Sequence, residues 1–503
     1  MANLLSDALI LRHRDASRTL LVTPAGRSWC YADFVASTGR IANALRQRGI
    51  ATGDRVLVQV EKSPEALALY GACLRLGAVM APFSTGRSAA EMAEFVDELS
   101  PRLVIRDASL EVPLPQAASM TLNADGSGTL REAASREPAS FDDVARAPDD
   151  VAVILYTSGT TGRSKGCVLS HNNLLSNARA LSQAWKIATS DVLLHLMPLY
   201  HIHGLLISTN ALLAAGASML FVDRFVPSQT IELMPRATIM MGTPQQYAEL
   251  LASDAFGRQA TTQMRLFVSG GELLSPKTMA LFEERCGHRI LERHAMTELG
   301  VSASNPYLGN RKCGTVGMPL PDVSLRIAGH QSGVVLPRGR VGILEVKGPN
   351  VFLGYWQRPD LTAETMRPDG YFVTGDVARF DGDGYLEILG RSDDIIVCDG
   401  RQISAREIEA VIDAAPGVQE SAVIGVEHAE YGQAIVGIVV SKPAATPSEC
   451  GVLAYASARL SAASCPAKIV FADRLPKSST GKLQKRILRE TYRSLYSGYG
   501  ADA

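Results

Sequence analysis

The chain has 503 residues, more than one hydrophobic core usually supports, so two or more domains are expected. Hydrophobic residues make up 46% and charged residues 20%, which is the balance of an ordinary globular protein and excludes a largely disordered one. The net charge of −1 argues against a nucleic-acid partner and against binding to a charged membrane surface.

The eight cysteines are scattered and include no Cys-x-x-Cys pair, which favours free thiols in a reducing compartment over disulfides or a zinc site. The first 21 residues mix arginine, histidine and aspartate with apolar residues and show no signal-peptide core. The most apolar stretch, Gly204–Val222, is interrupted by polar residues and glycine, so it is interpreted as a buried helix and strand. These features predict a cytoplasmic protein without a membrane segment.

Short apolar runs alternate with amphipathic helices over the first 390 residues. A strand is expected over Arg55–Val60. Ser63 followed by Pro64 predicts the start of a helix, because serine caps a helix and proline suits its first position. A second helix is expected over Glu91–Leu99 and a strand over Arg102–Asp107. This βαβ order predicts an α/β fold with helix-covered, mostly parallel sheets.

Further strands are expected over Thr238–Gly242 and Arg265–Ser269. Two stretches of the same region depart from the βαβ order. Residues 108–150 are rich in alanine, serine, aspartate and proline, which predicts a surface excursion. Pro319–Gly354 is predicted to form a β-rich subdomain.

The predicted segments become shorter after residue 390. A boundary is expected near Asp381–Gly384, which reads Asp-Gly-Asp-Gly. Capping boxes are predicted over Ser404–Glu407 and Thr446–Glu449, each at the start of a helix. The pattern predicts one domain over residues 1–390 and a small α+β domain over residues 391–503, which is long enough to fold as a unit.

A loop rich in glycine and hydroxyl side chains follows the apolar run Val151–Leu155. Residues 156–166 read Tyr-Thr-Ser-Gly-Thr-Thr-Gly-Arg-Ser-Lys-Gly, a composition that brings backbone N–H groups, hydroxyls and the Lys165 charge close to an anion. It is not a Walker A motif, because no Gly-Lys-Ser/Thr ends it, and Lys482 in the second Gly-Lys pair is followed by Leu483. The loop predicts nucleotide-phosphate binding outside the Walker class.

Five further motifs follow this loop in a fixed order: Tyr200–Gly204, Met296–Glu298, Thr374–Asp376, Gly390–Asp394 and Pro476–Lys482. With the loop, they resemble the adenylate-forming superfamily of acyl-CoA synthetases, luciferases and adenylation domains. The resemblance implies two half-reactions, in which a carboxylate attacks the α-phosphate of ATP and a thiol then displaces AMP from the acyl-adenylate. It also implies that the C-terminal domain is mobile, and that ATP, Mg²⁺ and CoA take part.

The resemblance assigns the nucleotide contacts residue by residue. The phosphates would be held by Thr157, Ser158, Gly159, Thr160, Thr161, Gly162 and Lys165. The rest of the nucleotide would contact Gly270, Gly271, Glu272, His294, Ala295 and Met296. Thr297 would contact the α-phosphate, and Glu298 would bind Mg²⁺, which prefers carboxylate and phosphate oxygens.

Ribose binding and catalysis are also implied by the resemblance. Asp376 would accept hydrogen bonds from the two ribose hydroxyls, since a carboxylate offers acceptors only, and Arg391 would support the same ribose. Lys482 would bridge the α-phosphate and the reacting carboxylate, which suits a compact charge on a flexible stem.

Three more roles concern the thiol half-reaction and movement between the two steps. Asp393 would be the hinge residue, Gly400 would line the pantetheine tunnel, where a side chain would obstruct passage, and His201 would gate the acyl pocket. For His201 the alternative is a structural histidine.

Several segments around the acid site resemble malonyl-CoA synthetases, among them Arg236–Pro244, Leu291–Glu298 and Gly348–Trp356. In that family an arginine before Met-Thr-Glu receives the distal carboxylate, and here that residue is Arg293, with Arg236 as a plausible second contact. A dicarboxylate needs such partners, because its second charge cannot be buried unpaired.

The sequence is also compatible with alternatives. Arg293 could instead form a structural salt bridge with Glu292 or another neighbour. Three departures from the malonyl-CoA synthetase pattern favour a larger or different acid. They are His294–Ala295, where the usual pair is Tyr-Gly, Glu272, and Gln245–Gln246 near the pocket. The leading hypothesis is therefore a ligase for malonate or methylmalonate. The second is a CoA ligase for an aromatic or other monocarboxylic acid, and the third is an adenylation enzyme that loads a carrier protein.

Overall fold

In the computed structural model, the described residues are 2–110, 118–157, 164–329, 332–398, 401–428, 431–477 and 483–496. The α-helices in these ranges are α1 (Leu4–Leu9), α2 (Tyr31–Gln47), α3 (Pro64–Leu76), α4 (Ala89–Leu99), α5 (Thr129–Ser135), α6 (His171–Ala184), α7 (Asn210–Ala215), α8 (Pro227–Leu233), α9 (Pro244–Leu251), α10 (Pro276–Cys286), α11 (Pro359–Thr365), α12 (Ala405–Ile412), α13 (Glu449–Ser457) and α14 (Lys485–Thr491).

The strands in the same ranges are β1 (Thr19–Val22), β2 (Ser28–Cys30), β3 (Arg55–Gln59), β4 (Val79–Pro82), β5 (Leu103–Arg106), β6 (Ala118–Thr121), β7 (Val151–Tyr156), β8 (Gly166–Ser170), β9 (Val192–His195), β10 (Ser218–Phe221), β11 (Ile239–Gly242), β12 (Leu266–Ser269), β13 (Leu291–Met296), β14 (Gly300–Ser304), β15 (Met318–Pro319), β16 (Ser324–Ala328), β17 (Gly342–Lys347), β18 (Gly354–Tyr355), β19 (Phe372–Phe380), β20 (Leu386–Arg391), β21 (Ile395–Cys398), β22 (Arg401–Ser404), β23 (Val418–His428), β24 (Gly432–Ser441) and β25 (Lys468–Phe471).

The chain divides into two compact units. The first consists of Met1–Thr157, Ser164–Ser324 and Val346–Phe372, and the second includes Leu325–Glu345 and the described residues from Val373 onward. Strands from both sides of residue 390 therefore belong to the second unit. The predicted domain division at residue 390 stays a prediction.

The first unit contains two large sheets. In the described residues, one sheet has the order β18-β8-β7-β4-β3-β5-β6 and is parallel from β7 to β6. The other has the order β15-β14-β13-β12-β11-β9-β10-β1-β2 and is parallel from β13 to β1. Because parallel strands are covered on both faces, they appear in the sequence as continuous apolar runs. The predicted α/β fold is confirmed.

Helix α3 shows how local sequence sets these elements. The Ser63 side chain accepts a hydrogen bond from the backbone N–H of Ala66, and Pro64 occupies the first helical turn, as predicted. All residues of the helix are buried, because it packs inside the first unit. Gly77 ends the helix in the left-handed conformation at φ +75°, which glycine adopts without steric cost.

The core beneath the nine-stranded sheet is aromatic. Phe282 of α10 packs edge-on against Tyr247 of α9 and Phe267 of β12, with ring centroids 5.4 and 5.0 Å apart. Such edge-to-face pairs add about 0.5–1.5 kcal/mol each beyond the burial of area. This packing fixes β12 and its neighbours, whose carboxyl ends carry the candidate site.

The second unit contains two smaller sheets within its described residues. One has the order β16-β17-β19-β20, and the other has the order β22-β21-β24-β23, with β25 paired parallel to β24. Helix α12 packs its buried Ile408 and Ile412 into the core of the second of these sheets. No helix in the described part of the chain has both the length and the apolar character needed to cross a membrane.

Several local predictions differ from the structure. Residues 108–150 include the strand β6, which pairs with β5 at the sheet edge, and helix α5. Asp381–Gly384 form the turn between the paired strands β19 and β20. Both capping boxes are wrong. The Ser404 hydroxyl donates to the Leu389 carbonyl, and helix α13 is capped by Ser448. Short side chains find such alternative partners because capping competes with other backbone contacts.

Candidate active site

The phosphate-loop motif connects the antiparallel strands β7 and β8. At its base the Thr157 N–H donates to the Lys165 carbonyl at 2.9 Å, and the Lys165 N–H donates to Thr157 Oγ1 at 3.3 Å. The loop is therefore closed like a hairpin at this point. The residues predicted between these two to hold phosphates, Ser158, Gly159, Thr160, Thr161 and Gly162, lie outside the described residues.

Strand β13 carries three of the predicted nucleotide contacts, His294, Ala295 and Met296. It pairs in parallel with β12 and antiparallel with β14, and its register shifts between His294 and Ala295. Such bulges redirect side chains and are common next to active sites. The imidazole of His294 is buried, with Nδ1 2.7 Å from Ser302 Oγ, while Met296 and Thr297 at the strand end are half-buried.

Glu298 lies in the turn after β13 and is buried, with 7% exposure. The Tyr355 hydroxyl donates to its Oε1 at 2.9 Å, and Lys165 Nζ lies 5.4 Å from the centroid of the Tyr355 ring. No lysine or arginine of the described residues forms an ion pair with Glu298. A buried carboxylate without a cationic partner fits Mg²⁺, which binds through one or two carboxylates together with substrate phosphates.

The guanidinium of Arg293 is also buried, with 5% exposure, and burial lowers its pKa to about 10. It lies against the backbone of Gly270, where an added Cβ would sit 2.3 Å from Arg293 Cζ. Among the described residues no carboxylate pairs with it, and its Nε has no hydrogen-bond partner. The alternative of a salt bridge with Glu292 is not what the structure shows, because Glu292 Oε1 accepts from the Leu274 N–H.

Two further polar atoms lie in this region, and neither was assigned a role from the sequence. Ser269 is the last residue of β12 and fully buried, and its hydroxyl has no hydrogen-bond partner within the described residues. Nε2 of His203, a residue that is 2% exposed, also has no hydrogen-bond partner within the described residues. Burial and then the charge of Arg293 lower the pKa of His203. The sequence gives no sign of this, because only the fold shows that these atoms are buried without partners among the described residues.

The structure separates Arg236 from this group. Arg236 is exposed and precedes β11, whereas Arg293 lies beyond the carboxyl end of β12, because it follows Glu292, the residue of β13 that pairs with Ser269. A strand rises about 3.3 Å per residue, so the four residues of β11 place Arg236 at the opposite edge of the parallel strands. It does not join Arg293 as a second contact.

The other predicted residues of the first unit are more accessible. Gly271 and Glu272 are exposed in the bend after β12, with Gly271 at φ +103°. His201 is half-buried, and its Nδ1 accepts from the His203 N–H at 3.3 Å.

The second unit brings the predicted ribose residues together. Arg391 Nη1 lies 2.9 Å from Asp376 Oδ1 and donates to the Thr374 carbonyl at 2.8 Å. Asp376 is buried, and Gly375 before it has φ +73°. The exposed Asp393 lies in a short 3₁₀ turn, Ser392–Asp394. The predicted tunnel residue Gly400 and catalytic Lys482 lie outside the described residues.

The model of the family described as AMP-binding enzyme matches residues 12–356, and that of the AMP-binding enzyme C-terminal domain matches residues 407–482. The chain belongs to the AMP-binding enzyme family. The predicted resemblance to adenylate-forming enzymes is confirmed, and so is the prediction that the protein is an enzyme.

Two curated relatives and one solved structure show how the similarity is distributed. A malonate–CoA ligase of Arabidopsis thaliana is 35% identical over 386 residues, which are 70% of this chain and 62% of the relative, so the match spans less than two thirds of that protein. A feruloyl-CoA synthase of Amycolatopsis sp is 31% identical over 490 residues, covering 96% of this chain and 98% of the relative. The crystal structure of ATP-bound MatB from Rhodopseudomonas palustris is 43% identical and covers 99% of this chain and 100% of its own, with a TM-score of 0.96.

Proposed function

We propose that this enzyme is an ATP-dependent acid–CoA ligase that works through an acyl-adenylate. Its preferred acid is a small dicarboxylate, with malonate first and methylmalonate next. ATP, CoA and the acid are its substrates, and Mg²⁺ accompanies ATP. The family, the ATP-bound relative and the CoA ligases among its relatives support the reaction.

The observation that carries the choice of acid is the guanidinium of Arg293, which is buried and has no carboxylate partner among the described residues. An unpaired charge in a protein interior costs several kcal/mol, and a structural arginine would normally carry its own carboxylate. A ligand carboxylate supplies that partner. An acid with one carboxylate uses it at the phosphate and leaves Arg293 unpaired, whereas a dicarboxylate satisfies both ends of the site.

The residues of the chain divide the work of the first half-reaction. Lys165 and the loop around it bind the terminal phosphates, and Thr297 donates to the α-phosphate. Mg²⁺, held by Glu298, would offset the negative charge where carboxylate and phosphate meet. Asp376 binds the ribose, and its pairing with Arg391 orients the carboxylate. Lys482 would bring a second positive charge to the reacting carboxylate.

The second half-reaction needs a path for the thiol. Asp393 would act as the hinge, Gly400 would line the pantetheine tunnel, and His201 would gate the acyl pocket from that tunnel. A Lys482→Ala variant should lose formation of the acyl-adenylate but keep thioester formation from supplied acyl-adenylate. An equal loss of both half-reactions would contradict the assignment of Lys482.

The second candidate is a ligase for an aromatic acid. It is favoured by the exposed Glu272 after β12 and by the feruloyl-CoA synthase, which matches nearly the whole chain. An aromatic acid without a second carboxylate leaves Arg293 unpaired, which is why we place this candidate second.

A panel of acids tests the proposal. AMP formation would be measured with CoA and malonate, methylmalonate, propionate, benzoate or ferulate, and pyrophosphate release would be measured with and without CoA. We expect the highest kcat/KM for malonate and a CoA requirement for turnover. A preference for ferulate or benzoate would establish the second candidate, and acid-dependent pyrophosphate release without any CoA thioester would favour a carrier-loading enzyme.

A further inference from the structure

A buried lysine, Lys62, contacts His195 at the end of β9. Lys62 occupies the connection between β3 and α3 and is 8% exposed. Its Nζ lies 2.7 Å from His195 Nδ1 and 2.7 Å from the His195 carbonyl, and 4.6 Å from the centroid of the Phe221 ring. Within the described residues no carboxylate forms an ion pair with it. Burial lowers the pKa of Lys62 well below its usual value, so this position is costly to maintain.

His195, the last residue of β9, connects this lysine to a π-helix that spans His203–Thr209. Its Nε2 lies 3.1 Å from the Gly204 carbonyl and 3.0 Å from Thr209 Oγ1, and the Thr209 hydroxyl itself donates to the Gly204 carbonyl at 2.9 Å. One imidazole therefore contacts both ends of the π-helix. Helices of this type are rare and occur frequently at functional sites.

The hydrogen-bond network fixes the tautomer of His195. The Gly204 carbonyl can only accept, so the proton of the neutral ring is on Nε2. Nδ1 is then an acceptor, and Lys62 Nζ donates to it as well as to the His195 carbonyl. Burial, and after it the charge of Lys62, keep the pKa of His195 well below its usual value, which agrees with a neutral ring.

The π-helix begins with His203, whose buried Nε2 has no hydrogen-bond partner in the described part of the chain. Gly204 after it packs so closely that an added Cβ would lie 2.1 Å from the Pro198 carbonyl oxygen, so the start of the helix has little freedom to move. Arg293, on β13, also has a buried nitrogen without a partner among the described residues. The π-helix lies against the neighbouring strands, because Ser208 donates to Met241 Sδ of β11 at 3.3 Å and only β12 separates β11 from β13. Burial and then the charge of Arg293 lower the pKa of His203.

We propose that Lys62 and His195 are positioning residues of the acid site, which hold the π-helix so that His203 and Arg293 donate to the same distal carboxylate. His203 is then a second residue that determines the preference for a dicarboxylate. The inference rests on the proposed function, because it takes the ligand of Arg293 to be the second carboxylate of the acid. One cationic and one neutral donor on two different elements define where that carboxylate sits.

The variants Lys62→Met, His195→Gln and His195→Leu separate positioning from folding. Methionine keeps the volume of the lysine stem but donates nothing to His195. Glutamine can donate to the Gly204 carbonyl and accept from Lys62, whereas leucine can do neither. We expect Lys62→Met and His195→Leu to lower the malonate/propionate ratio of kcat/KM by about 10-fold, mainly through KM for malonate, which is the effect of one misplaced buried hydrogen bond. His195→Gln should retain most of the ratio.

A His203→Leu variant should lower the same ratio by a similar factor without involving Lys62. Tyr31→Phe is the matched control, because it removes a buried hydrogen bond outside the π-helix, the one that Tyr31 of α2 donates to the Ala217 carbonyl at 2.7 Å. It should lower the melting temperature but leave the ratio unchanged.

The outcomes distinguish the two proposals. If the native enzyme prefers malonate but Lys62→Met lowers kcat/KM for malonate and propionate equally, Lys62 is only structural and the inference is wrong. If Lys62→Met does not fold, the malonate/propionate ratio of His203→Leu and His195→Gln tests the inference instead. An unchanged ratio in His203→Leu overturns it. If the native enzyme shows no preference for any dicarboxylate, the proposed function itself fails and the inference fails with it.

Discussion

In the nine-stranded sheet, the amino ends of the parallel strands form one edge and their carboxyl ends form the other. Buried polar groups at these two edges differ in whether they have hydrogen-bond partners within the protein. At the amino ends, Arg265 donates to both carboxylate oxygens of Asp191 at 2.7 and 2.6 Å, and the Thr238 hydroxyl donates to the same carboxylate at 2.8 Å. At the carboxyl ends, Ser269 and Arg293 have buried polar atoms without partners among the described residues. The first edge is complete without a ligand, and the second is not.

This contrast agrees with a general property of α/β folds, in which ligands bind beyond the carboxyl ends of the strands. Hydrogen bonds formed between two groups of the protein stabilise the folded state. Buried polar groups without a protein partner lower its stability, and they contribute free energy to binding when a ligand pairs with them. Substitutions at the two edges should therefore affect different measurements.

The largest loss of stability is expected at the amino edge. Arg265→Met leaves the Asp191 carboxylate, which is 5% exposed, without its cation. Removing one partner of a buried ion pair costs about 3 kcal/mol or more. We expect the melting temperature to fall by several degrees or more, with an unchanged malonate/propionate ratio for the remaining folded enzyme. A change in that ratio would show that the amino edge also contributes to specificity.

The largest change of specificity is expected at the carboxyl edge. Arg293→Met should lower the malonate/propionate ratio of kcat/KM by roughly 10- to 100-fold, because charge-assisted hydrogen bonds contribute about 1.5–3 kcal/mol. Its melting temperature should stay the same or rise, since the variant removes a buried unpaired charge. Steady-state kinetics with the two acids and calorimetry of both proteins test this. A constant ratio would remove the reason for placing malonate first.

Acid should destabilise the first unit through its buried histidines. Burial lowers the pKa of His13 and of His171 to about 4, and it lowers the pKa of His195 and His203 well below the usual value. Below pH 6.5 the unfolded chain binds protons that the folded protein excludes. Stability is therefore complete above pH 6.5 and is lost as the pH falls towards 4, by roughly 1.4 kcal/mol per pH unit for each histidine.

Unfolding midpoints measured between pH 7.5 and pH 4.5 would show this slope. A His203→Gln variant separates the contribution of the carboxyl edge from that of His13 and His171, which it leaves in place. It should make the pH dependence shallower. If midpoints are constant from pH 6.5 to 4.5, these rings are not neutral in the folded protein.

The sequence predicted site residues that belong to recognisable motifs, and it could not predict contacts between segments that share no motif. Asp376 and Arg391 lie in two motifs that the resemblance assigns to the same ribose, and the structure pairs their side chains. Arg236 was proposed beside Arg293 because both are arginines near the acid segments, yet β11 runs away from Arg236 and separates them. Lys62 and His195 are 133 residues apart and belong to no common motif, so only the fold reveals their contact.

The smallest effect is expected for Ser269→Ala, at the end of β12 beside Gly270. Its hydroxyl is buried without a partner in the described residues, so its removal relieves an unmet hydrogen-bonding group and should leave the melting temperature unchanged or slightly higher. If the hydroxyl donates to the bound acid, the malonate/propionate ratio should fall by about 2- to 12-fold, the effect of one neutral hydrogen bond of about 0.5–1.5 kcal/mol. Ser182→Ala is the matched control, because Ser182 donates to the Ala211 carbonyl at 2.7 Å and its loss should lower stability without changing the ratio. The opposite pattern, with Ser269→Ala less stable and equally selective, would mean that Ser269 belongs to the core and not to the acid site.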